Sequence, residues 1–104
     1  MSDRFDTEML LDCYRQGVFP MADSREDMNL FLISPELRGI LPLKGFHVPR
    51  RLRKTVRKAP YRVTVDLAFN RVIEACAEDM PDRPTTWINT PIQNMYAALH
   101  RQGH

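Results

Sequence analysis

Residues 50–58, Arg50-Arg51-Leu52-Arg53-Lys54-Thr55-Val56-Arg57-Lys58, carry six basic side chains and no acid. Wound as a helix, they place Arg50, Lys54, Arg57 and Lys58 at i, i+4, i+7 and i+8 on one face. Leu52, Val56 and Ala59 fall on the opposite face. A rod that packs on its apolar side and shows a row of cations on the other suits a phosphate backbone. The same pattern describes a merely solvated basic face. Two features favour a polyanion: no acid in the block supplies i, i+4 partners, and like charges at this density repel one another unless an external anion is met. Pro49 suits the first turn of such a helix, and Pro60 stops it.

Other chemistry is sparse. The chain has no glycine-rich phosphate loop, no GxSxG, no HExxH and no paired-carboxylate signature, so no catalytic residue is assigned. His47, His100 and His104 lack metal-ligand spacing, and neither a metal nor a cofactor is predicted. His47 either touches RNA or closes a turn, and His100 suits the C-terminal end of a helix. Asp66 is predicted to cap a helix rather than act as a base. Trp87, the only tryptophan, is either a partly buried core aromatic or a platform on which a base stacks. Met21 follows Phe19-Pro20 and either fills a gap or lines an adaptable apolar pocket.

The elements that must position these residues form an α+β pattern. Leu10, Leu11 and Tyr14 mark a helix over about 8–16, with Thr7 as its cap and Gly17 as its stop. Val18–Met21 reads as an apolar loop. Leu30–Ile33 and Arg38–Leu41 read as a hairpin or bent strand pair about Ser34-Pro35-Glu36. Tyr61–Val65 alternates in period two and predicts a strand, and Phe69, Val72, Ile73 and Cys76 predict the helix after it. Thr86–Ile88 is a candidate short strand. Thr90-Pro91-Ile92-Gln93 is a capping box that opens a last helix, ended by Gly103.

Hydrophobic content of 43%, charge of 27% and a net charge of +2 fit an ordinary globular domain whose basic character is local. Cys13 and Cys76 are predicted to be reduced, buried small hydrophobes. The N-terminus lacks an apolar signal region and no run is long enough to cross a bilayer, which predicts a cytoplasmic protein without a membrane partner. A strand at 61–65 needs neighbours, and few later candidates supply them. The chain is therefore predicted to be the front part of something longer.

In order along the chain, YRQGVFPM (14–21), SPELRGILPL (34–43), GFHVPRRLRK (45–54), YRVTVD (61–66), AFNRVIEACA (68–77), TWIN (86–89) and LHRQGH (99–104) resemble the bacterial leucyl/phenylalanyl-tRNA–protein transferases. The resemblance implies an enzyme that moves leucine or phenylalanine from charged tRNA to an N-terminal Arg or Lys of an acceptor protein, marking it for N-degron proteolysis. It implies an N-terminal domain over 1–60 whose basic helix grips tRNA through Arg50, Lys54, Arg57 and Lys58. Residues 61–104 would then be the truncated start, strand then helix, of an acetyltransferase-like domain. Trp87 would help form the pocket for the terminal adenosine and its aminoacyl group. Met21 would share that pocket, standing where the family often has tryptophan, and Leu32-Ile33 stand where it has Trp-Trp. The polar groups that assist amine attack would lie outside residues 1–104, leaving this chain as a tRNA-contacting part with little activity of its own. The alternative is a stand-alone RNA-binding module without catalysis.

Overall fold

A computed structural model describes residues 5–104, with four helices and a two-stranded sheet among them. In chain order these are α1 (Thr7–Arg15), β1 (Phe19–Met21), β2 (Phe31–Ile33), α2 (Arg50–Lys58), α3 (Phe69–Cys76) and α4 (Thr90–Arg101). The chain divides into two compact units, one made of Met1–Pro35 with Asp66–His104 and the other of Glu36–Val65.

The first unit is organised around α4. Its Ile92, Met95 and Leu99, spaced at i, i+3 and i+7, are all buried. Ile92 packs with Ala22, Ala77 and Ile88, while Met95 and Leu99 enclose Leu10 of α1. Leu30 and Tyr96 touch both groups and join them. Asn89 caps α4: its Oδ1 accepts from Ile92 N at 3.0 Å, and its Nδ2 donates to the Asp27 carbonyl at 2.8 Å. The cap thus lies one residue before the predicted Thr90, because only Asn89 can satisfy the helix end and the 22–30 loop together. At α1 the cap is Asp6, whose carboxylate accepts from Met9 N, and Thr7 becomes the first helical residue. Gly17, at φ 78°, ends α1. Its N–H reaches Tyr14 O at 3.0 Å while Val18 N reaches Cys13 O at 2.8 Å, the paired bonds of a left-handed helix stop. Gly103 and His104 repeat the arrangement after α4.

The sheet differs from expectation. β1 pairs antiparallel with β2 in the register Phe19↔Ile33, Pro20↔Leu32 and Met21↔Phe31. The segment expected to be an apolar loop is therefore a strand, and Pro20, which lacks an N–H, is tolerated because a two-stranded sheet has only edges. Arg38–Leu41 and Thr86–Ile88 form no strand.

Tyr61–Val65 is not a strand either; Val63 is 88% exposed and the segment pairs with no strand among the described residues. Period-two alternation expresses how side chains fit a sheet face, and without a partner ladder it fixes nothing. Asp66 does not cap α3. It adopts a left-handed conformation at φ 61°, and the helix starts after Ala68 without a side-chain cap.

Within Glu36–Val65 no residue is buried and only Val48 is partly covered. Helix α2 forms over the expected residues, with Pro49 at its N-cap. It stops at Ala59, which turns left-handed at φ 47°. Pro60 disfavours a helical conformation in the residue before it, which accounts for the stop. The apolar face of α2 is not packed: Leu52 is 46% and Val56 66% exposed, correcting the expectation of a rod seated on one side. Both cysteines are free thiols, but Cys13 is only half-buried and Cys76 is exposed, so neither is a core residue.

Candidate functional site

In the first unit a cavity of about 370 Å³ brings Met21 and Trp87 together. Their proximity rests on a backbone bond between segments far apart in the sequence. Ala22 N donates to Trp87 O at 3.1 Å, which docks the 86–89 segment beside the end of β1. Thr86, buried, turns that segment by accepting from Ile88 N at 3.1 Å through its hydroxyl. Ile88 and Asn89 then go into the core and the α4 cap, leaving Trp87 between two anchored residues with 42% of its surface exposed. Trp87 is thus neither fully buried nor loose. Phe31, paired with Met21 across the sheet, and Cys76 at the end of α3 extend the apolar lining.

Sequence reasoning missed the polar part of this cavity. Asp23, Arg83, Thr85 and Thr86 also line it. Arg83 stands in the turn Met80-Pro81-Asp82-Arg83, closed by two backbone bonds of 2.8 Å between Met80 and Arg83. The proline signals a turn, but nothing in its spacing says that the turn faces Trp87.

In the second unit all nine residues of α2 are exposed. Arg50, Lys54, Arg57 and Lys58 share an arc of about 100° at 3.6 residues per turn. None of them forms a salt bridge among the described residues, where the sole ion pair is Arg15–Asp12. Arg57 and Lys58 also sit in the last turn, where cations oppose the partial negative charge of the helix end.

No histidine lines the cavity, and His47 lies three residues before α2. His47 is exposed, and His100 stacks on Phe69 with ring centroids 4.9 Å apart, which makes it a packing residue between α3 and α4. No group of three or more His, Cys, Asp or Glu among the described residues could hold a metal ion. No helix among them is long and apolar enough to cross a membrane.

The described residues thus define a small α+β protein with an aromatic-walled cavity in one unit and an unneutralised basic helix in the other. Residues 40–104 match the family described as leucyl/phenylalanyl-tRNA protein transferase, and residues 3–36 match the N-terminal domain of that family. The chain belongs to the leucyl/phenylalanyl-tRNA protein transferase family. Among curated relatives carrying that name, one from Hyphomonas neptunium is 63% identical over 99% of this chain and 40% of its own length. One from Caulobacter vibrioides is 57% identical over 99% of this chain and 48% of its own. One from Maricaulis maris is 48% identical over 96% of this chain and 46% of its own. The chain spans less than half the length of these relatives. No solved structure matches it.

Proposed function

We propose that the protein works as a leucyl/phenylalanyl-tRNA–protein transferase, carrying leucine or phenylalanine from charged tRNA to the N-terminal Arg or Lys of acceptor proteins in the cytoplasm. Residues 1–104 supply the tRNA grip and the cavity for the aminoacyl-adenosine end. The observation that carries this reading is family membership across nearly the whole chain. In residue terms, Arg50, Lys54, Arg57 and Lys58 meet phosphates, while Trp87 and Met21 receive the terminal adenosine and its ester. Met21 contributes dispersion contact but no ring, so stacking falls to Trp87.

The donor is an ester already activated for attack, so the reaction needs an oriented, unprotonated amine and a stabilised oxyanion more than a nucleophile from the enzyme. A binding and positioning role for these residues is consistent with that requirement. The domain division proposed is a tRNA-contacting region over 1–60 followed by the start of an acetyltransferase-like region over 61–104.

The test is filter binding of leucyl-tRNA to the 104-residue chain across ionic strengths. Arg50→Ala and Lys54→Ala should each lower the slope of log affinity against log salt by about 0.9. Trp87→Ala should weaken charged tRNA but leave deacylated tRNA nearly unaffected. A Trp87→Ala variant that treats both RNAs alike would favour a plain RNA-binding module. An unchanged salt slope in the cation variants would sink the RNA reading altogether.

A further inference from the structure

The rim of the Met21–Trp87 cavity carries one cation and one anion that no ion pair among the described residues neutralises. Arg83 is the cation. One guanidinium nitrogen, Nη2, donates to the Glu78 carbonyl at 2.8 Å, and the backbone of Arg83 is pinned to Met80 by the double-bonded turn. Pro81 at the second place of that turn presets its φ. The head group is thereby held at the rim with most of its five N–H donors uncommitted. Asp23 is the anion. It follows Met21 and Ala22 at the end of β1, is exposed, and its carboxylate makes no hydrogen bond among the described residues.

An aminoacylated 3′-terminal nucleotide has matching chemistry. It carries an α-ammonium next to the ester, an apolar base and side chain, and a phosphodiester on the 5′ side of the ribose. A cavity of about 370 Å³ is within the range of small-ligand sites. We propose that Arg83 binds the 5′-phosphate of that nucleotide and Asp23 its α-ammonium, so that the two charges set which way the ligand lies against Trp87. This rests on the reading of the cavity as the aminoacyl-adenosine site. A phosphate offered to the Asp23 side, or an ammonium to the Arg83 side, meets like charge, and the reversed pose is disfavoured.

Trp87 is the chain's only tryptophan, so quenching of its fluorescence reports occupancy of the cavity. The probes are the hydrolysis-resistant amide analogue of 3′-phenylalanyl-adenosine, its 5′-monophosphate, and its N-acetyl form. The native chain should bind the monophosphate at least about tenfold more tightly than the parent, as befits one charge-assisted contact. Arg83→Gln should bring that ratio to about one, and Arg83→Lys should keep part of it, with a point charge but no fork. Asp23→Asn should lower the parent probe's affinity to that of the N-acetyl form. Saturable binding of the parent with no phosphate preference, or a preference that survives Arg83→Gln, overturns the proposal while leaving the cavity's role intact. Absence of quenching by every probe overturns the cavity reading itself.

Discussion

The two units of the chain have similar raw materials and use them in opposite ways. Met1–Pro35 with Asp66–His104 gathers Leu10, Ile88, Ile92, Met95 and Leu99 into linked clusters around one helix. Glu36–Val65 has Leu37, Leu41, Leu43, Leu52, Val56 and Val63, and every one is exposed. Apolar content does not make a core. In the first unit the stripe of α4 faces residues brought back from far along the chain, and two polar staples, Asn89 to the Asp27 carbonyl and the Arg25 guanidinium to the Ala77 carbonyl, fix the loops around it. In the second unit the amphipathic pattern stays local. A nine-residue helix with no buried residue is marginal in water, because its propensity alone hardly offsets nucleation.

The contrast is broken most directly by truncating one leucine in each unit. Leu10 is fully buried, and Leu10→Ala should cost about 2–5 kcal/mol through lost transfer energy and a residual cavity. Leu52→Ala, on the unpacked face of α2, should stay within about 0.5 kcal/mol. Urea unfolding monitored at Trp87 measures both. Equal costs would mean that the apolar face of α2 is covered in solution.

Asn89→Ala should come next, at about 1–3 kcal/mol. It removes the α4 cap and leaves the Ile92 N–H and the Asp27 carbonyl without that partner. Hydrogen exchange sharpens the comparison further. The α4 amides should exchange only through global opening, whereas the α2 amides should exchange close to the open-chain rate. Should α2 bind tRNA, adding it would slow the α2 amides selectively.

A pH scan separates the units by a different route. Tyr96 is partly buried against the core of the first unit, and this burial holds its hydroxyl well above the usual tyrosine range, with the hydrogen-bonded Tyr14 hydroxyl adding to the effect. An acid harder to ionise when folded contributes stability that is complete below the unfolded value of about 10 and declines as pH rises above it. The melting temperature of the native chain should therefore fall above about pH 10. Tyr96→Phe should flatten that decline, and an unaltered alkaline profile in this variant would remove Tyr96 as its cause.

How far this was legible depends on whether an element carries its own cause. The four helices were readable because their stripes and stops are local; Gly17 and Gly103 act within their own turns. Caps shifted by one residue wherever adjacent polar side chains competed, Asp6 over Thr7 and Asn89 over Thr90, and the tertiary bond to Asp27 decided the second case. Strands were the weak point. β1 hides behind Pro20, and the alternation of Tyr61–Val65 has no partner to make it a strand. At the site, Trp87 and Met21 could be named singly, yet their meeting depends on the Ala22–Trp87 backbone bond. Arg83 and Asp23 reach the same cavity through a turn and a strand end that no motif marks.

Modest effects are expected from exchanging the residues that stop α1 and α2. Gly17 ends α1 at φ 78° and Ala59 ends α2 at φ 47°, so both occupy left-handed backbone, where a Cβ is penalised by about 1 kcal/mol. Gly17→Ala should therefore destabilise the first unit by about that amount, visible as a lower urea midpoint. Ala59→Gly relieves the same penalty in α2, but a global unfolding transition hardly reports a helix that buries no residue. Its gain should appear only as slower amide exchange across Arg53–Ala59, with the urea midpoint unchanged. If Ala59→Gly raises the midpoint as much as Gly17→Ala lowers it, the two units unfold as one.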